Sequence, residues 1–182
     1  MKSVNLASFD NSWYRPGSAA KRLIWYILNA IVFRSSVPFP KGIKTLFLRA
    51  FGAKIGRDVL VKPRINIKYP WFLEIGDSTW IGEGVWIDNL GLVKIGKHVC
   101  LSQGAYLCTG NHDYKKTTFD LILGPITIED GVWVGARAVI GPGVTLKSHS
   151  VVTAGSVVVK NTEPYKIYQG HPAVVVKERV IE

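Results

Sequence analysis

Cysteine is scarce in this chain of 182 residues, which has only Cys100 and Cys108, and histidine occurs four times. A disulfide framework needs more cysteines than this, and a zinc site needs further cysteine or histidine ligands at suitable spacing. The sequence therefore argues against both, and no metal is expected. We expect the two cysteines to be reduced, buried thiols.

Long apolar runs are also missing. The first 18 residues contain no apolar segment of the kind that begins a cleavable signal peptide. The longest apolar run, LIWYILNAIVF at residues 23–33, has eleven residues and is too short to span a bilayer. We expect a cytoplasmic protein in which this run forms a buried or interfacial helix. The segment KGIKTLFLRAFGAKIG predicts a second helix that stops near Gly52, with an apolar face made of Ile43, Leu46, Phe47, Ala50 and Phe51.

Acidic residues are rare in the N-terminal third. Residues 1–68 contain 13 Lys and Arg but only Asp10 and Asp58, whereas residues 69–182 contain 10 basic and 11 acidic residues. Such asymmetry indicates an anionic partner. Nucleic acid is disfavoured because the basic residues alternate with apolar helix and not with stacking aromatics. Two compatible interpretations remain: the helices cap the structure that follows, or they lie on an anionic membrane surface.

Aliphatic residues recur every six positions from Ile55 onward, in four runs. These residues are Ile55, Val61, Ile67, Ile75, Ile81, Ile87, Ile95, Leu101, Leu107, Ile128, Val134, Ile140, Leu146, Val152 and Val158. A period of six fits neither a helix nor an alternating strand. It predicts a coil of short strands with three faces per turn, in which the aliphatic residue points inward and a following glycine permits a tight corner.

This pattern resembles the hexapeptide-repeat family, in words such as IGDSTW, IGEGVW, VGARAV and IGPGVT. The resemblance implies an all-β solenoid, a left-handed parallel β-helix. We predict three segments: an N-terminal basic and apolar helical segment at residues 1–54, the β-helix at 55–162, and a C-terminal tail at 163–182. A protruding loop at about residues 109–125 interrupts the repeat.

Function in solenoids concentrates in such interruptions. The loop begins with TGNHDY, and a histidine followed by an aspartate is a candidate general base. The stretch CLSQGAYLCTGNHDY, the WYRPG near the start and IDNLG resemble sugar O-acetyltransferases of the hexapeptide class, and most closely the colanic acid biosynthesis acetyltransferases. The resemblance implies acetyl transfer from acetyl-CoA to a sugar hydroxyl of an exopolysaccharide or its lipid-linked precursor. It also implies a homotrimer with active sites between subunits.

The resemblance further implies individual roles. His112 matches the catalytic base. Acetyl-CoA contacts are expected from Trp133, Gly135, Ala136, Ala154, Lys160 and Lys177. Acceptor contacts are expected from Asp88, Asn89, Asn111 and Asp113, although Asp88 is equally explained as a hydrogen-bonded coil corner. Two positions depart from the galactoside enzymes: Val174 replaces a basic residue and Gly82 an asparagine, so those contacts do not transfer.

A thioester is already activated, so the enzyme mainly positions the hydroxyl and removes its proton. We expect backbone N–H groups near Gly135 and Ala136 to stabilise the oxyanion. His98 and His149 are expected at exposed corners. Alternatives are acetyl transfer to another small acceptor, such as an amino group of a nucleotide sugar or a serine, and a non-catalytic β-helix binding protein. A zinc-dependent carbonic anhydrase-like enzyme needs three histidines, and the loop holds only His112.

Overall fold

The computed structural model describes residues 2–40 and 42–182; Met1 and Lys41, which fall in the predicted N-terminal segment, lie outside the described residues. Two helices, α1 (Ala19–Leu28) and α2 (Ile43–Ala50), precede a parallel β-solenoid. The first part of the coil has nine strands: β1 (Lys54–Ile55), β2 (Leu60–Val61), β3 (Asn66–Ile67), β4 (Leu73–Ile75), β5 (Trp80–Ile81), β6 (Trp86–Asp88), β7 (Val93–Ile95), β8 (Cys100–Leu101) and β9 (Tyr106–Cys108). A hairpin follows, made of β10 (Gly110–His112) and β11 (Leu121–Leu123). The coil then resumes with β12 (Ile126–Ile128), β13 (Trp133–Val134), β14 (Val139–Ile140), β15 (Thr145–Leu146), β16 (Val151–Val152) and β17 (Val157–Val158).

The strands form the three faces of a prism. We name these face A (β1, β4, β7, β12, β15), face B (β2, β5, β8, β13, β16) and face C (β3, β6, β9, β14, β17). The chain visits A, B and C in turn, so each strand pairs in parallel with the strand one turn away. Every third corner therefore lies on the same edge of the prism.

The predicted aliphatic residues fill the interior, as the period of six requires. On face A, Ile55, Ile75, Ile95, Ile128 and Leu146 are register partners. Corresponding ladders run from Val61 to Val152 on face B and from Ile67 to Val158 on face C. Most of these side chains are fully buried in one continuous core. The expected solenoid is thus confirmed.

The corners correct one detail of the expected geometry. The glycine that follows the aliphatic residue is needed for close approach between coils: a Cβ on Gly76 would lie 2.6 Å from the Gly96 carbonyl carbon. The left-handed backbone occurs instead two residues later, at positions such as Ser78 (φ 55°), His98 (φ 54°) and Gly104 (φ 68°). At the position directly after the aliphatic residue, glycine is therefore favoured by the close contact with the next coil and not by a left-handed backbone dihedral.

The N-terminal helices pack on the first coils. Trp25 is buried, its indole nitrogen donates to the Ile67 carbonyl at 2.9 Å, and its ring contacts Phe33 and Phe51. The helical path continues past α1 as a π-helical turn, Asn29–Phe33. These contacts support the interpretation that the segment caps the coil. Among the described residues, no helix has both the length and the apolar character needed to cross a membrane.

The predicted apolar face of α2 is wrong in part. The helix buries Lys44, Thr45 and Leu48, whereas Leu46 is 62% exposed. On the inward side, Leu48 enters the hydrophobic core and the Lys44 ammonium donates to the Lys62 carbonyl at 2.8 Å, which satisfies the buried charge. Burial lowers the pKa of Lys44.

The C-terminal tail adds a hairpin to face B, which sequence reasoning did not predict. Strand β18 (Lys166–Gly170) pairs in parallel with β16, and β19 (Ala173–Glu178) pairs with β18 in antiparallel orientation. Tyr165, just before β18, stacks on His149 with ring centroids 4.7 Å apart. His149 is therefore half-buried and not the exposed corner that was expected, while His98 is exposed.

Candidate active site

The interruption of the repeat projects from the edge between faces C and A. Strands β10 and β11 pair in antiparallel orientation, with His112 opposite Leu121. The turn between them is tied by backbone hydrogen bonds and by an ion pair of 2.8 Å between Lys116 and Asp120. His112 consequently sits on a regular strand at the base of the loop and not on a free loop.

The His112 ring is held on two sides. It stacks on Phe119 at 4.3 Å with an angle of 7° between the planes, and it contacts Phe9 at 5.7 Å. Its Nδ1 lies 2.8 Å from the Phe119 carbonyl oxygen. A carbonyl can only accept, so Nδ1 carries the hydrogen. In the neutral ring, Nε2 is then an unprotonated acceptor, which is the form a general base needs.

His112 lines a cavity of about 580 Å³. The lining residues are Phe9, Asn11, Tyr14, Arg15, Pro16, Gly17, Arg22, Lys68, Tyr69, Leu90, His112 and Leu121. Half of them come from residues 9–17, which we call the N-terminal strap. Two hydrogen bonds hold the strap in place: ahead of it, Asn5 N–H donates to the Thr117 carbonyl at 2.8 Å, and within it, the Tyr14 hydroxyl donates to the Leu90 carbonyl at 2.6 Å. Burial raises the pKa of the Tyr14 hydroxyl, which keeps it protonated as a donor.

Sequence reasoning missed this strap. The segment has no repeat and no recognisable helix period, and its role depends on contacts with Leu90 and Thr117, which are far away in the chain. The signal in the sequence that could have found it is WYRPG at residues 13–17, since the last four of these residues line the cavity.

The residues expected to bind the acceptor fall into different places. Asn89 requires a correction: it is fully buried, its amide nitrogen donates to the carbonyls of Tyr69 and Phe72, and its oxygen accepts from Tyr69 N–H. It cannot contact an acceptor while these bonds hold. Asp88 ends β6 and accepts a hydrogen bond of 3.3 Å from the Tyr106 hydroxyl. It does not line the cavity.

Asn111 and Asp113 flank the histidine. The Asn111 side-chain oxygen accepts from His112 N–H at 2.8 Å, and Asp113 accepts from Lys115 N–H at 3.1 Å. Both side chains are therefore engaged in shaping the hairpin. The Asn111 side chain is exposed and its amide N–H₂ has no acceptor among the described residues, so it retains capacity for a ligand.

The residues expected to bind acetyl-CoA lie mainly on face B and its edge with face C. Trp133 is 48% exposed, and its indole nitrogen donates to Ser102 Oγ at 2.9 Å. Gly135 N–H is donated to the Val152 carbonyl at 2.7 Å, so it is not available for an oxyanion, contrary to expectation. The N–H groups of Ala136 and Ala154, by contrast, have no acceptor within the described part of the chain.

The two expected lysines are both exposed. Lys160 follows β17, and Lys177 lies on β19 opposite Ile167. None of the expected acetyl-CoA contacts lines the cavity of His112, because the corner of Ala136 and Ala154 lies between faces B and C and the histidine lies between C and A. Within residues 2–40 and 42–182, no three His, Cys, Asp or Glu side chains are grouped as metal ligands.

Comparison with known proteins places this arrangement in a family. The model of the bacterial transferase hexapeptide (six repeats) matches residues 125–160. The chain is 39% identical over 167 residues to WcaF of Escherichia coli (strain K12), named for acetyl transfer in colanic acid biosynthesis, with 92% of each chain covered. It is 30% identical over 150 residues to the galactoside O-acetyltransferase of the same organism, covering 80% of this chain and 73% of that protein.

Solved structures show the same likeness. A hexapeptide-repeat acetyltransferase from Vibrio cholerae, crystallised with acetyl-CoA, is 28% identical with a TM-score of 0.82 over 92% of this chain and 93% of that one. A galactoside acetyltransferase in complex with CoA is 27% identical with a TM-score of 0.76, over 87% of this chain and 80% of that one. This chain therefore belongs to the hexapeptide-repeat acetyltransferase family.

Proposed function

We propose that this protein transfers the acetyl group of acetyl-CoA to a sugar hydroxyl of an exopolysaccharide or of its lipid-linked precursor, with His112 as general base. The observation that carries the proposal is the bond from His112 Nδ1–H to the Phe119 carbonyl, 2.8 Å long, which leaves Nε2 to accept a proton beside a cavity of about 580 Å³. A cavity of this size suits a sugar.

The step needs no covalent enzyme intermediate. His112 Nε2 takes the proton of the hydroxyl while its oxygen attacks the thioester carbonyl carbon. The tetrahedral intermediate then collapses, the C–S bond breaks, and the imidazolium returns its proton to the leaving CoA thiolate. Phe119 stacks on the ring and holds it in one orientation, which lowers the entropic cost of bringing the base to the hydroxyl.

Acetyl-CoA is assigned to the edge between faces B and C. The N–H groups of Ala136 and Ala154 are available there to donate to carbonyls of the pantetheine arm, and the exposed ring of Trp133 offers apolar contact. Lys160 and Lys177 are proposed to meet the phosphates of CoA. Two similar structures are complexes of those proteins with acetyl-CoA or CoA, which supports the assignment.

The separation of these two sets of residues supports a homotrimer, which we propose as the active assembly. One chain places His112 and Ala136 on different edges of its prism, so a single cavity cannot hold both. In an assembly with threefold symmetry, the histidine edge of one chain can meet the B–C edge of the next, and each interface then forms one complete site. Sedimentation equilibrium tests the trimer, and a monomer with full activity would contradict it.

The general base is tested by a matched pair of substitutions. His112→Asn keeps a side-chain N–H that can reach the Phe119 carbonyl, while His98→Asn makes the same change at an exposed corner. We expect the first to lower kcat by about 10²–10⁴-fold and the second to leave it unchanged. CoA release is followed with a panel of sugars, and acetyl-CoA binding serves as the control for folding. Equal turnover of both variants would overturn the assignment.

We also propose peripheral contact with an anionic membrane. Helix α1 presents Leu23, Ile24 and Ile27 to solvent at 50–60% exposure, between Arg22 and Arg34. Apolar and basic side chains on one exposed surface favour an interfacial position. Co-sedimentation with vesicles tests this: more protein should pellet with anionic than with neutral vesicles, and Ile24→Ser should reduce the amount. Equal recovery in all cases would remove the proposal.

A further inference from the structure

The cavity beside His112 contains a cluster of basic side chains that the transfer step does not use. Arg15, Arg22 and Lys68 all line it, and no Asp or Glu does. Among residues 2–40 and 42–182, none of the three side chains forms a salt bridge or a hydrogen bond. Three like charges around one cavity repel one another, and an anion bound between them would relieve this repulsion.

The three residues are carried by anchored backbone. Arg15 lies between Tyr14, whose hydroxyl is bonded to Leu90, and the buried Pro16. Arg22 N–H donates to the Ser18 carbonyl in the first turn of α1. Lys68 follows β3 and its N–H donates to Ile87. The cluster is therefore positioned by three separate elements, which converge on the cavity only in the folded chain.

A neighbouring lysine shows that the basic side chains at the cavity are a selected group and do not simply reflect the high number of basic residues in the segment. Lys21 precedes Arg22, but its ammonium lies over the Trp71 ring at 4.3 Å and does not line the cavity. The N-terminus of α1 adds the positive end of the helix dipole next to the cavity, since Gly17 borders the cavity just before the helix. No acidic residue in the first turn offsets this potential.

From these contacts we infer that Arg15, Arg22 and Lys68 form a subsite for a phosphate or diphosphate group of the acceptor. The inference rests on the proposed function and deepens it: the hydroxyl to be acetylated lies at His112, and the anionic group of the same molecule lies among the basic side chains. Arginine recognises phosphate through paired N–H donors, whereas lysine contributes a point charge. Both nucleoside diphosphate sugars and sugars linked to a prenyl diphosphate carry this chemistry.

Binding is tested first with inorganic pyrophosphate. The protein is saturated with CoA, so that the sites for the CoA phosphates are occupied, and pyrophosphate is titrated by calorimetry. We expect binding that weakens about tenfold in each of Arg15→Gln, Arg22→Gln and Lys68→Gln, the loss of one charge-assisted contact. Arg57→Gln, at the corner between β1 and β2, and Lys94→Gln, on face A, each remove one positive charge away from the cavity and serve as controls. Absence of binding, or equal weakening in the controls, would overturn the subsite.

A second experiment distinguishes the nucleoside diphosphate sugar from the prenyl diphosphate sugar. It also shows whether a negative result refutes the subsite or the proposed function. Each sugar of the acceptor panel is supplied as a methyl glycoside, a nucleoside diphosphate sugar and a short prenyl diphosphate derivative. We expect at least one charged form to exceed the glycoside in kcat/KM by about tenfold or more, and this ratio to collapse in Arg15→Gln. The charged form that is preferred identifies the source. Transfer to all forms at equal rates refutes the inference but keeps the proposed function, whereas transfer to none refutes the function itself.

Discussion

Removal of one hydroxyl group should loosen the N-terminal strap. The Tyr14 hydroxyl donates to the Leu90 carbonyl at 2.6 Å and connects positions that are 76 residues apart in the chain. In Tyr14→Phe the ring stays and the bond is lost. A hydrogen bond of this kind contributes about 1 kcal/mol net, which corresponds to about a fivefold change in an equilibrium constant. We therefore expect the equilibrium for local opening of residues 9–17 to rise about fivefold.

Hydrogen exchange measures this opening directly. Peptides covering residues 5–17 should exchange about five times faster in Tyr14→Phe, while peptides from the coil keep their protection because the hydrophobic core is untouched. Tyr26→Phe is the matched control, since the Tyr26 side chain is 65% exposed and its hydroxyl has no partner within the described ranges. Unchanged exchange in Tyr14→Phe, or the same acceleration in Tyr26→Phe, would refute the role given to this bond.

Three further predictions concern stability. Gly76→Ala places a Cβ 2.6 Å from the backbone of Gly96, so the coils must separate; the free energy of unfolding, measured in urea, should fall by about 1–3 kcal/mol, and an unchanged value would contradict the close-contact explanation. Asn89→Ala removes three hydrogen bonds: among the described residues the Tyr69 N–H and the Phe72 carbonyl are left without a partner, while the Tyr69 carbonyl still accepts from Phe72 N–H. The change should cost about 2–4 kcal/mol in the same assay, with kcat retained in the folded fraction, and a loss of kcat without a loss of stability would restore Asn89 to the acceptor site. The Lys147 ammonium, together with Ser148 N–H, lowers the pKa of Glu129. The ionised carboxylate therefore stabilises the fold above its unfolded pKa of about 4.5, and this stabilisation is lost as the pH falls. Glu129→Gln should be about 0.5–1 kcal/mol less stable than the parent at pH 7 and equal to it near pH 3, and a difference that persists at pH 3 would show that ionisation is not the cause.

The solenoid could be predicted from the sequence because its interactions repeat. Each inward residue, for example Ile75, Ile95 or Ile128, meets the equivalent residue one turn away, so one local pattern determines the whole core. The position of His112 followed from the same regularity, since the loop is visible as a departure from the period of six. Its role still relied on resemblance to a family.

The errors occurred where a residue's environment depends on a partner outside the repeat. Buried Lys44 has its ammonium bonded to the Lys62 carbonyl, and buried Asn89 has its side chain bonded to backbone groups of Tyr69 and Phe72. His149 is covered by a hairpin that no repeat announced. No local pattern contains these partners.

The sequence by itself determined the period of the coil, the residues that fill it, the place where the coil is interrupted and the basic excess of the first third. Each of these properties depends on spacing or composition along the chain. Only the tertiary structure decided that His112 donates through Nδ1 to Phe119, that the N-terminal strap covers this histidine, and that Arg15, Arg22 and Lys68 line one cavity. Those properties depend on distances between residues far apart in the chain, and such distances exist only once the coils have stacked and the helices have packed on them.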